Sequence, residues 1–197
     1  MNESISEVES SAFRSFWSDG LLDLMFGLVV VVTGLSWWQD VAVLGAIFPA
    51  VCVSMWYPLR KRLVEPRLGY VEFSGERDLK VRSFRHGLIA LFTGTAAFGL
   101  VIFVLWNGNV LPRVAEWVAG LPLILIAIPA VFFALFTNCR RFSVYALALF
   151  LAGVEVVIQG WEPHVGLIAS GSFITIAGLV ILMRFLSRYP AQPPGTP

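Results

Sequence analysis

Six separate apolar runs, each close to the length that crosses a bilayer, constrain this chain more than any other feature. They are Leu21 to Trp37, Val41 to Tyr57, His86 to Trp106, Leu121 to Thr137, Phe142 to Gln159 and His164 to Phe185. A helix needs about 20 mostly apolar residues to span hydrocarbon. Flanking Trp, Tyr and Arg complete the shorter runs, because these side chains favour the membrane interface. The rival is six buried helices of a water-soluble protein. Composition decides against it: 57% of the 197 residues are hydrophobic and 14% are charged. A soluble domain carries about 25% charged residues with which to cover its surface. Disorder is excluded on the same ground. The expected fold is an all-α membrane protein of six transmembrane helices in three antiparallel hairpins.

Basic residues set the expected direction. Arg14, the eight basic residues of the stretch 58–85, Arg140, Arg141, Arg184 and Arg188 fall on one side, and Arg113 alone falls on the other. Cytoplasmic loops hold the excess of Lys and Arg. Both termini are therefore expected in the cytoplasm, in a multi-pass protein of the plasma or inner membrane. Trp37, Trp106, Trp117 and Trp161 lie at the outer ends of the runs, and Trp17, Trp56, Tyr57 and Tyr189 near the inner ends. Aromatic belts occupy both interfaces. The start of the chain has Glu3, Glu7 and Glu9 rather than a basic segment, so no cleaved signal peptide is expected.

Three regions follow. Residues 1–19 form a cytoplasmic segment, and an interfacial helix is expected over 4–18, where Ser4 and Glu7 have capping-box spacing. Residues 20–186 are the six-span domain. Residues 187–197 read as a disordered cytoplasmic tail rich in proline. Within the domain, the loop 58–85 is the one sizeable segment outside the membrane. It opens with Arg60-Lys61-Arg62 after the second span, and the residues after Gly69 are strand-like. Its eight basic and four acidic residues give it a net charge of +4. Such a segment attracts anionic lipid at the cytoplasmic face. Arg60, Lys61 and Arg62 are the lipid-binding candidates, and their rival partners are Glu3, Glu7 and Glu9.

A faint repeat runs through the chain. Gly20 and Gly27 match Gly87 and Gly94 in spacing, and Ala146 and Gly153 repeat it. Small residues also cluster at Ala90, Gly94 and Ala97 and at Gly171, Thr175 and Gly178. Such patches let helix backbones approach closely. They read either as seams within the bundle or as a subunit interface in a homo-oligomer.

Four residues are candidates for transport. Glu155 is a carboxylate inside the fifth span, with Gln159 four residues later. An ionisable group in hydrocarbon normally faces a cavity or a partner. Glu155 is therefore expected to point into the bundle or an outward-facing cavity, unless it reaches the outer interface and hydrates. Asp23 lies about one turn into the first span, on the same face as Asp19. Arg140, Arg141 and His86 are its expected partners. Pro49 and Pro129 fall near mid-membrane, where proline frees a carbonyl and bends the helix. They mark either hinges or static bends.

Enzyme chemistry has no foothold. The sequence contains no HExxH, GxSxG or P-loop. His86 and His164 fall at opposite membrane faces, so no metal site and no cofactor are expected. Cys52 and Cys139 make no disulfide argument. The net charge of +1 gives no ground for a nucleic-acid partner. Two readings stand. One is a small transporter or channel for an ion or solute, supported by Glu155, the prolines and the repeat. The other is a non-catalytic membrane subunit or regulator that presents its basic loop to a partner or to anionic lipid. A row of polar residues along one cavity would favour the first, and a solid apolar bundle the second.

Overall fold

The computed structural model describes residues 19–68, 119–137 and 139–190. Every described element is a helix: α1 (Leu21–Trp38), α2 (Ala42–Leu63), α3 (Glu65–Leu68), α4 (Leu121–Thr137), α5 (Arg140–Gln159) and α6 (Pro163–Arg188). Four of these, α1, α2, α5 and α6, are long and apolar enough to cross a membrane, and α4 is a shorter apolar helix. Five expected spans are thus found as helices. The third, His86 to Trp106, lies outside the described residues, as do the helix expected over 4–18 and the strand-like stretch after Gly69.

The tightest packing joins α1 to α6, which are far apart in sequence. Gly20, Gly27 and Gly34 recur every seven residues along α1. Gly20 lies against Leu182, Gly27 against Thr175 and Gly34 against Ile168. As the position on α1 rises by seven, its partner on α6 falls by seven. The two helices therefore run antiparallel, in a register that holds along the seam. A seven-residue repeat keeps the same faces together as two helices wind left-handedly about each other. Gly171 and Gly178 answer from α6, where an added Cβ at Gly171 would come within 2.7 Å of the Val31 backbone nitrogen. In lipid, which is as apolar as any side chain, such close backbone approach is what holds helices together.

A second pair, α4 and α5, meets where Gly120 lies against Gly153. Between the pairs sits the apolar core, with Phe26, Val30, Leu123, Phe133, Phe142, Leu149 and Ile174 all buried. Phe26 meets Phe133 edge-on at 5.9 Å between ring centres. The outward faces are apolar too. Leu44, Ile47 and Met55 of α2, Leu135 of α4, Leu147 and Ile158 of α5, and Ile176 and Met183 of α6 are exposed. A soluble protein rarely shows such faces, whereas a bilayer solvates them. Hydroxyls avoid exposure by bonding their own helix: Ser36 donates to the Val32 carbonyl, Ser170 to Gly166 and Thr175 to Gly171. Among groups that meet no water, that is the economical arrangement.

Helix ends follow local chemistry. Gly160 closes α5 with a left-handed φ of 65°, and Pro163 opens α6 in its first turn. Both are favoured placements. At the other end of the bundle the first part of the segment 58–85 is helical. α2 continues through Pro58 to Leu63, and Glu65–Leu68 adds a further helical turn. Val64 forms the turn between the two. Proline removes one intrahelical bond, but past the hydrocarbon the carbonyl it frees can be hydrated.

Candidate functional site

The end of the bundle where α1 begins and α2 and α6 finish holds a group of buried charges. Asp19, just before α1, is 1% exposed, and Asp23, one turn in, is 0% exposed. Both carboxylates lie at the start of α1, Asp19 before its first turn and Asp23 within it. Each meets a guanidinium from a different helix. Arg60 of α2 donates from Nη1 to Asp19 Oδ2 at 2.9 Å, and it is itself 4% exposed. Arg141 of α5 brings Nε to 2.8 Å from Asp23 Oδ1. That second contact is not aligned as a hydrogen bond and is held by charge. The Tyr145 hydroxyl, one turn along α5, faces the same carboxylate.

Further contacts fix these groups in place. The Leu21 N–H donates to Asp19 Oδ1 at 2.9 Å, satisfying one of the unpaired donors that open every helix. Both carboxylates sit at the positive end of the α1 dipole. Burial pushes the Asp19 carboxyl up from its ordinary range, against the pull of Arg60, the Leu21 N–H and Arg141. Arg60 lies over the Trp56 ring at 5.5 Å, and Arg141 over Phe142 at 5.6 Å. Arg67 of α3 donates to the Leu186 carbonyl at 3.2 Å and the Tyr189 carbonyl at 2.8 Å. The first is a carbonyl of the last turn of α6, which no helical N–H can reach, and the second belongs to the residue just past it.

The sequence candidates are placed as follows. Asp23 stands beside Arg141, one of the three partners expected for it; the side chain of Arg140 is exposed, and His86 lies outside the described residues. Glu155 does not point into the bundle. It is exposed on α5 and accepts a hydrogen bond from Gln159 Nε2 at 3.0 Å. Pro49 and Pro129 are both buried within continuous helices. Lys61 and Arg62 are exposed, but Arg60 is not available to lipid, because the turn of α2 that carries it faces α1. Glu3, Glu7 and Glu9, the rival partners of this basic run, lie outside the described residues. At the opposite end, His164 Nδ1 stands 3.1 Å from Glu162 Oε2 and its ring stacks on Trp38.

Asp19, Arg67 and Tyr145 were not singled out by the sequence as a site, and Arg60 was singled out for lipid rather than for Asp19. The signal for Asp19 was present in its spacing from Asp23. The pairing with Arg60 had none, because the two are 41 residues apart. Chemically, two acid–guanidinium pairs removed from water are suited to tying helices together. Among the described residues no group of three His, Cys, Asp or Glu could hold a metal ion. No family model, curated protein or solved structure matches this chain.

Proposed function

We propose that this chain is a multi-pass protein of the plasma or inner membrane that acts as a non-catalytic subunit or regulator. Its basic end faces the cytoplasm and presents positive charge to a partner or to the lipid surface. One observation carries the reading. The buried charges, Asp19, Asp23 and Arg60, are committed to pairs that join helices, and the core between the helices is apolar. A transporter needs charged or polar groups along its path. Glu155, the strongest candidate for that work, lies on the outer surface of α5 and bonds to its own helix.

Proteoliposomes holding the purified chain test this reading. The expected result is no cation or proton flux above that of empty vesicles. Flux that both Glu155→Gln and Glu155→Leu abolish, in protein that still folds, would replace this reading with transport.

A further inference from the structure

We infer that the basic end of the bundle carries a docking surface for anionic phospholipid headgroups, built from Lys61, Arg62, Arg140, Arg184 and Arg188. The inference rests on the membrane reading above and names the occupant of its basic surface.

The described structure sorts the basic residues of this end into two sets. Arg60, Arg67 and Arg141 are consumed by Asp19, by the α6 carbonyls and by Asp23. The other five are exposed, and none forms a salt bridge among the described residues. With Asp19 and Asp23 taken up internally, Glu65 is the one acidic residue described at this end that is outside a salt bridge. The five come from three helix ends that meet here: the end of α2, the start of α5 and the end of α6. The internal pairs bring those ends together.

Depth favours lipid as the occupant. At 1.5 Å per residue, the 26 residues of α6 extend about 39 Å, beyond a hydrocarbon core of about 30 Å. Arg184 and Arg188, one turn apart near its end, reach headgroup level. Exposed Tyr57 and Tyr189 flank the same level, as interfacial aromatics do. Exposed apolar side chains such as Met55 and Met183 lie just below and leave room for acyl chains. Cations above an apolar wall match the two parts of an anionic phospholipid. Arg60, the first residue of the basic run, is no part of this surface.

The test uses the purified full chain in detergent mixed with equal phosphatidylglycerol and phosphatidylcholine. Native mass spectrometry then counts the retained lipids. The wild type should retain phosphatidylglycerol in preference. Each neutralised cation should weaken that preference by about fivefold. In the variant with Lys61, Arg62, Arg140, Arg184 and Arg188 all changed to Gln it should vanish. Changing the four arginines to Lys should restore it. All these positions are exposed, and a melting temperature unchanged from wild type shows that the bundle is intact. An equal preference in wild type and Gln variant overturns the inference, as does a wild type with none. So does a preference that survives in the Gln variant and is lost on adding inorganic phosphate, which would mark another, phosphate-competed site. The measurement does not depend on which face of the membrane the basic end occupies. An opposite orientation would defeat the reading it rests on while leaving lipid retention intact.

Discussion

Asp23 is sealed from solvent on every side, so its standing depends on Arg141. Breaking a buried pair by removing one member leaves an uncompensated charge, at a cost of about 3–5 kcal/mol. Arg141→Leu should therefore lower the melting temperature in detergent sharply. Asp23→Leu with Arg141→Leu together should recover most of the loss, because an apolar pair needs no compensation. Additive losses in the double variant would show that the two do not act as a unit. The same cycle on Asp19 and Arg60 should give coupling of the same sign, since that pair adds a hydrogen bond to its opposite charges. Glu155→Gln belongs at the other extreme. Its partner Gln159 lies on its own helix at the surface, and the substitution should leave the stability within about 0.5 kcal/mol of wild type, read as a nearly unchanged melting temperature.

The elements are held by close approach of backbones, and the glycines differ in what they permit. An added methyl group at Gly27 or Gly178 would run into the backbone of the facing helix. Gly27→Ala and Gly178→Ala should each cost about 1–3 kcal/mol through overpacking. Gly45 meets α1 no closer than 3.4 Å, an ordinary contact, so Gly45→Ala should be nearly neutral. Gly160 has open space around it but a left-handed backbone, and Ala there should cost about 1–2 kcal/mol from the backbone alone. Thermal melts of the four variants check the ranking. Much of this level was legible. Apolar length located α1, α2, α4, α5 and α6 to within a few residues at most ends. The small residues Gly171, Thr175 and Gly178 were visible as a packing face, and Gly20 with Gly27 as a spaced pair. What spacing within one segment does not encode is which face meets which. The spacing shared by Gly20 with Gly27 and Ala146 with Gly153 looked like one repeat, yet Gly27 packs on Thr175 and Gly153 on Gly120. The length of α2 beyond its apolar run was not legible for a related reason. Pro58 and the charges after it look like a boundary until Asp19 is seen to receive Arg60.

At the scale of the whole molecule, charge is divided by depth. Ions at the basic end are paired inward or turned outward, and the flanks between the two ends are apolar. The proposed orientation is checked by single cysteines in a variant with Cys52 and Cys139 replaced by Ala. A cysteine at Glu162 should react with an impermeant thiol reagent in intact cells, and one at Ser187 should react only after lysis. The reverse pattern would place the basic end outside.

The seam between α1 and α6 also carries a consequence for how the chain is made. Gly34 leaves the ribosome well before Gly171, and at 5–20 residues per second the delay is on the order of ten seconds. Throughout that interval the α1 glycines lack the α6 backbone they pack against. No earlier helix among those described fits them as α6 does. Until synthesis is nearly finished the bundle lacks this clasp. A chain released before α6 is made would lack the partner that its α1 glycines pack against.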